Sequence, residues 1–255
     1  MNAGEKNELL FKIFLCELKR KKNKDTIFGE INSIGFGEKQ YLDLDEEVNF
    51  ATLVDEADIK ELAKKLCIEK SSPLNKADIY VNNISYSVKY MNAAPPSLIN
   101  HTSRKGFLRI AEQLKIDISK LDNLIKIYWD LRMQKKITED VSNLNSLSPF
   151  KENKEIVRPY LEYFCFTGTG KSDSKHKAKK LIKFNIYNEP SSWKIYSKKE
   201  AIDEIWDGLY FCMRDIGKGG VKDFTNHPDK AILAPWTKFS SGKYRGALSV
   251  RYKAK

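Results

Sequence analysis

Apolar residues recur along the chain at two spacings, and the spacing predicts the elements. Leu10, Phe11, Phe14, Leu15 and Leu18 fall at helical intervals and predict a helix over Asn7 to Lys19, ended by the basic run Lys19 to Lys24. Ile59, Leu62, Ala63 and Leu66 share one face of a second helix, Asp55 to Ile68, which stops near Ser71-Ser72-Pro73. Between them Gly29 to Gly37 reads as a glycine-rich loop. Ile79 to Tyr90 alternates strictly around Asn82-Asn83, two residues that tolerate the positive φ of a tight turn, and predicts a hairpin. Lys105 to Leu131 predicts one or two helices broken near Asp117. Glu155 to Thr167 and Lys179 to Tyr187 read as strands, and Ser197 to Tyr210 as a helix capped by Ser197 with Glu200 at the capping-box position. Ala231 to Thr237 and Arg245 to Tyr252 alternate again.

No repeat or low-complexity linker divides the 255 residues, so the pattern predicts a single α/β domain with a helical middle segment. Hydrophobic content of 41% with 31% charged residues is ordinary for a globular chain, and no apolar run approaches a membrane span. The start, Met1 to Glu8, lacks the basic and apolar regions of a secretory signal, which predicts a soluble, cytoplasmic protein. Cys16, Cys67, Cys165 and Cys212 form no CxxC pair and are expected to be reduced core thiols.

Charge narrows the partners. The chain carries a formal +11, and its distribution is uneven: residues 1–100 hold 14 basic and 16 acidic side chains, residues 101–255 hold 31 and 18. Within 101–255, Lys171 to Lys183 holds six basic residues against Asp173, and Lys218 to Lys255 holds nine against Asp223 and Asp229. Such an excess favours a polyanion, nucleic acid first, over a merely solvated lysine surface.

The hairpin is the segment that carries chemistry. With Asn82-Asn83 as a two-residue turn, Val81 pairs with Ile84, Tyr80 with Ser85, Ile79 with Tyr86 and Asp78 with Ser87. Period-two alternation then puts Asp78, Ser87 and Lys89 on one side of the sheet, and Ile79, Val81, Ile84, Tyr86 and Val88 on the other. An acid and an amine meet there; Asp78 and the carbonyl of Val88 can hold a divalent cation while Lys89 faces its water. Read as ordinary structure, the same two side chains are a cross-strand surface ion pair.

Asp78, a hairpin, then Ser87-Val88-Lys89 resembles the PD-(D/E)XK nuclease motif, in which an Asp, a second acid and a Lys sit on adjacent strands. Ala77 stands where that motif has Pro, and Ser87 where it usually has Asp or Glu. Gly4-Glu5-Lys6-Asn7-Glu8 at the head of an apolar helix is similar to the N-terminal helix of these nucleases, which makes Glu8 the candidate replacement acid. The resemblance is to type II restriction endonucleases that cut short palindromes. It implies a central mixed β-sheet flanked by helices, laid out as a catalytic core over 1–110, a helical segment over 111–155 and a basic DNA-contacting region over 156–255. It implies catalytic residues Asp78, Lys89, Glu8 and Ser87, with magnesium (Mg2+) held by Asp78, Val88 and Glu8. It also implies double-stranded DNA as substrate, a cognate DNA methyltransferase as genetic partner, and a monomer or a homodimer.

Expected DNA contacts lie in two places. Asn92, Ser103, Arg104 and Lys105 follow the motif hairpin, in a segment that must leave the active strand near a scissile phosphate. Trp236 to Tyr244 supplies donors, an aromatic ring and a flexible glycine, suited to a loop entering the major groove. Arg245 to Lys253 then alternates into an apolar face, with Leu248, Val250 and Tyr252, and a basic one. Lys238, Ser240, Ser241, Lys243, Tyr244, Arg245 and Arg251 are the candidates; an edge hairpin guarded by Lys and Arg is the ordinary alternative. Gly168-Thr169-Gly170-Lys171-Ser172 resembles the end of a P-loop, but Cys165 replaces the first glycine, and a hairpin turn is expected instead. His101, His176 and His227 are isolated from one another and from the cysteines, so no zinc or HNH site assembles and each is expected on the surface or in a loop. The competing functional class is a non-catalytic DNA- or RNA-binding protein in which Asp78 and Lys89 are structural.

Overall fold

A computed structural model describes residues 1–68, 72, 74–92, 97–217 and 220–253. They form a mixed α/β fold with seven helices and two sheets. In chain order the elements are α1 (Ala3–Arg20), β1 (Ile34–Phe36), β2 (Lys39–Gln40), α2 (Glu56–Lys65), β3 (Ile79–Val81) and β4 (Ile84–Tyr90). There follow β5 (Ser97–Ser103), α3 (Arg104–Leu114), α4 (Ile118–Met133), β6 (Asp140–Ser142), α5 (Lys154–Glu162), β7 (Lys180–Phe184) and β8 (Lys194–Tyr196). The chain ends with α6 (Lys198–Ile205), β9 (Leu209–Asp215), α7 (Lys230–Leu233), β10 (Lys238–Ser240) and β11 (Lys243–Tyr252). Contacts divide the chain into two compact units, Met1–Ala94 with Ser174–Ala201, and Pro95–Asp173 with Ile202–Lys255. No helix among the described residues is long and apolar enough to cross a membrane.

The first unit is built on a six-stranded sheet in the order β2-β1-β3-β4-β7-β8, antiparallel except for the parallel pair β4-β7. Asn2 and Glu5 close a capping box that starts α1. Leu10, Phe11, Leu15 and Leu18 on α1 bury against Ile79, Val81, Tyr86 and Val88, and the Phe11 ring stacks on Phe184 at 4.8 Å. Asn82 and Asn83, at φ 49° and 61°, make the predicted turn, and Ile79, Tyr80 and Val81 pair with Tyr86, Ser85 and Ile84 as predicted. Asn82 also accepts from the amides of Asn32 and Ser33 and donates to Glu30 O. That tether draws part of the expected Gly29 to Gly37 loop into β1, whose Ile34 pairs with Val81.

The second unit holds an antiparallel sheet in the order β10-β11-β9-β6, with β5 paired to the same edge of β11 further along the strand. Phe150 stacks on Phe211 at 4.1 Å, and Phe107 packs against Tyr160, Phe164 and Trp236. Asp117 caps α4 and separates it from α3, as its position predicts.

Several expectations are corrected. Glu155 to Thr167 is α5 followed by a π-helical turn, Tyr163–Thr167, because Val157, Tyr160, Leu161 and Phe164 keep helical spacing under a β-rich composition. Ala231 to Thr237 begins in α7 instead of a strand. The helix predicted to Tyr210 ends earlier, and Leu209 opens β9, whose Leu209, Phe211 and Met213 are buried. The capping box of Ser197 and Glu200 is present. β11 is an interior strand between β9 and the pair β5 and β10, and its expected basic face is divided: Ala247 and Ser249 are buried and Arg245 half-buried, while Arg251 and Lys253 are exposed. The cysteines form no disulfide; Cys16 and Cys212 are buried as expected, but Cys165 is half-buried and Cys67 is exposed. The expected stop at Ser71 and Pro73 lies outside the described residues.

Candidate active site

Asp78 immediately precedes β3, 9% exposed, with its amide donating to Tyr86 O at 2.8 Å. This bond shows that the backbone groups of Tyr86, and by alternation of Val88, turn toward β3. Val88 N–H accordingly donates to Asp78 Oδ2 at 2.7 Å, and Ser87 Oγ donates to the same oxygen at 3.2 Å. The Val88 carbonyl faces the same edge as the carboxylate. Lys89 Nζ lies 3.7 Å from Asp78 Oδ2, and its side chain is 36% exposed. The structure thus joins Asp78, Ser87, Val88 and Lys89 as the register predicts.

His176 positions this corner. Its carbonyl accepts from the amides of Lys76 and Ala77, at 3.0 and 2.9 Å, and so fixes the chain entering Asp78. Its ring packs on Phe36 and lies 3.2 Å from Tyr80 Oη. A Cβ at Gly37, where φ is +63°, would come within 2.8 Å of that ring. His176 thus lies in a loop, as expected, and is half-buried there as a packing residue. Sequence spacing had no means of finding it, since its partners lie about a hundred residues away.

The electrostatics extend across the sheet. Lys89 is the register partner of Lys183 on β7, and Lys183 of Lys194 on β8, so three lysines share one row on the face that Asp78 occupies. Like charges in adjacent strands repel unless an anion offsets them. Residues 174–201, which include β7 and β8, carry eight lysines and two acids.

Glu8 is placed differently. It pairs with Lys12 at 2.8 Å, and Lys12 is only 1% exposed. Glu8 lines a cleft with Met1, Glu5, Leu9, Lys12, Glu56 and Lys60. The buried stripe of α1 covers the sheet face of Ile79, Val81, Tyr86 and Val88, opposite to Asp78 and Lys89.

The expected DNA contacts divide by what they touch. Arg104 forks onto Asp122 at 2.7 and 2.8 Å and donates to Ile232 O, so it braces the second unit. Lys105 pairs with Asp229, and Ser103 precedes α3 as its N-cap residue. Asn92 donates to Asn185 O in the first unit. Arg245 is drawn inward: Glu139 receives Arg245 at 2.5 Å, Arg214 at 2.9 Å and Arg132 at 3.6 Å. Burial pushes the Glu139 carboxyl up, but its bond to Arg245 and the two guanidinium charges outweigh that and leave it below its ordinary 4.5. Lys238, Ser241 and Arg251 are exposed, as is Lys243, which also reaches Asp215 at 3.1 Å; Ser240 and Tyr244 are half-buried. The Gly168 to Ser172 lookalike is a turn closed by a Gly168–Asp173 bridge and clamped by Arg109 on Thr169 O, as its polarity suggests.

No family model matches the chain, and no curated protein or solved structure matches it. Among the described residues no group of three or more His, Cys, Asp or Glu side chains could hold a metal ion. The donor set that is present, the Asp78 carboxylate with the Val88 carbonyl, fits a magnesium ion that keeps most of its coordination as water and substrate phosphate.

Proposed function

We propose that the chain is a magnesium-dependent, site-specific deoxyribonuclease of the type II restriction class, with the restriction-endonuclease-like fold of the PD-(D/E)XK nucleases in its first unit. The observation that carries the reading is the convergence of Asp78, Ser87, Val88 and Lys89 at one corner of a mixed sheet. In this reading Asp78 and the Val88 carbonyl hold the ion, which supplies an activated water and offsets charge on the phosphate. Val88 N–H and Ser87 Oγ lock the carboxylate in place. Lys89, held by Asp78, presents a cation to the attacking oxygen, and Lys183 and Lys194 extend the positive row along the DNA strand. A DNA methyltransferase that masks the recognised sites is the expected genetic partner, and a homodimer suits a palindromic site.

Cleavage of supercoiled plasmid by the purified chain tests this. Magnesium should convert plasmid to nicked or linear product, and calcium or a chelator should not. The alternative, a nucleic-acid-binding protein without catalysis, draws on the neutral Ser87 and on the Glu8–Lys12 pair, which leave Asp78 as the one carboxylate joined to Ser87, Val88 and Lys89 among the described residues. Tight plasmid binding with no cleavage under any divalent metal would favour it.

A further inference from the structure

The β10–β11 hairpin carries an aromatic ring where the folded chain gives it little to do. Phe239 is 60% exposed. It lies directly across from Tyr244, while Lys238 opposes Arg245 and Ser240 opposes Lys243. Alternation therefore gives the ribbon one aromatic face and one face on which Lys238 and Lys243 are exposed, Lys243 reaching Asp215, while Arg245 turns inward to Glu139. Ser241 and Gly242, at φ 53° and 77°, form a two-residue turn, and a Cβ at Gly242 would meet nothing within 4 Å.

The ring is exposed but firmly backed. Phe239 meets Tyr244 edge-on at 5.0 Å, Tyr244 meets Phe224 at 5.5 Å, and Phe224 meets His227 at 6.0 Å. Tyr244 and Phe224 belong to a small core with Ile216 and Leu233. A chain of aromatic contacts thus runs from packed interior to the tip. Polar tips satisfy an ordinary hairpin; a rigid, apolar tip flanked by lysines suits insertion into a stack of bases beside phosphates.

We infer that the β10–β11 hairpin enters duplex DNA and that Phe239 wedges into a base step, with Lys238 and Lys243 on the flanking phosphates. The inference rests on the DNA-directed part of the function proposed above and deepens it, assigning Phe239 as a positioning residue that distorts the bound site.

Binding in a chelator, where no cleavage occurs, tests it. The probes are a mixed-sequence duplex, the same duplex with one central mismatch, and its single strand, each carrying 2-aminopurine beside the centre. The wild-type chain should prefer the mismatched duplex, where unstacking is cheaper, and should raise 2-aminopurine emission. Phe239→Ala should lose about ten- to hundredfold in affinity, together with the mismatch preference and the emission change, at an unchanged salt slope. Phe239→Trp should restore all three, and Lys238→Gln should lower the slope by about one while keeping the emission change. Wild-type binding by Phe239→Ala would overturn the wedge and leave the nuclease proposal standing. A Phe239-dependent preference for the single strand would overturn it in favour of a stacking platform, and self-association lost in Phe239→Ala would assign the ring to a second copy. A wedge without plasmid cleavage would sink the nuclease reading alone, and no DNA binding at all would sink both.

Discussion

At the residue scale the corner is organised around one carboxylate oxygen, Asp78 Oδ2, which Val88 N–H, Ser87 Oγ and Lys89 all approach. These four residues were legible because a two-residue turn fixes register and register fixes faces. Glu8 tests how far the resemblance carries. Its partner Lys12 is enclosed, so Glu8→Gln leaves a buried ammonium without its counter-charge and should lower stability by roughly 1–3 kcal/mol, with cleavage unchanged where the variant is folded. Urea unfolding alongside plasmid cleavage measures both. Full stability with cleavage lost would instead put Glu8 at the metal. Glu139 was invisible in the sequence, because its three arginine partners arrive from α4, β9 and β11. Its carboxyl titrates below 4.5 in the folded chain, so the stability it adds is present above that pH and is lost as pH falls through the folded value. Arg245→Ala should cost roughly 2–4 kcal/mol at neutral pH and flatten the loss below pH 4.5, whereas Arg251→Ala, at an exposed position, should do neither. Denaturant midpoints taken across the acid range give the comparison; equal effects of the two substitutions would return Arg245 to the surface.

At the element scale the β3–β4 turn separates two roles of asparagine. Both residues adopt positive φ, which glycine adopts without strain. Asn83→Gly should therefore be tolerated within about 0.5 kcal/mol, while Asn82→Gly removes three hydrogen bonds to the segment at 30–33 and should cost roughly 1–3 kcal/mol, measured by thermal unfolding. Similar values for the two would mean that the tether to β1 adds nothing. Elements with one unambiguous period, such as α1, α4 and the hairpin, were readable. Those that misled were β-rich in composition yet helical in spacing, as with Val157, Tyr160 and Leu161 in α5. β9 was hidden because its first two residues looked like the continuation of a capped helix. β11 alternated as expected, but alternation says nothing of whether a strand lies at an edge or between neighbours, which β5, β9 and β10 decide, nor of what covers each face, so Ala247 and Ser249 are buried while Arg251 on the same face is exposed.

At the scale of the whole molecule, charge is redistributed by topology. By sequence position the excess lies after residue 100; in the folded units it is shared, with 22 basic against 18 acidic side chains in the first and 23 against 16 in the second. The change comes from residues 174–201, which return to the first unit and add lysines to the sheet that holds Asp78. A long-range return of this kind leaves no local signature, which is why the Asp78 corner was readable and its positive surroundings were not. The most direct test of the central claim compares Asp78→Ala and Lys89→Ala with the wild-type chain in magnesium-dependent plasmid cleavage, with DNA affinity measured in calcium. Each variant should cleave at least about a hundredfold more slowly while binding DNA within a few-fold of wild type. Cleavage by either variant at the wild-type rate would contradict the assignment of this corner as the active site.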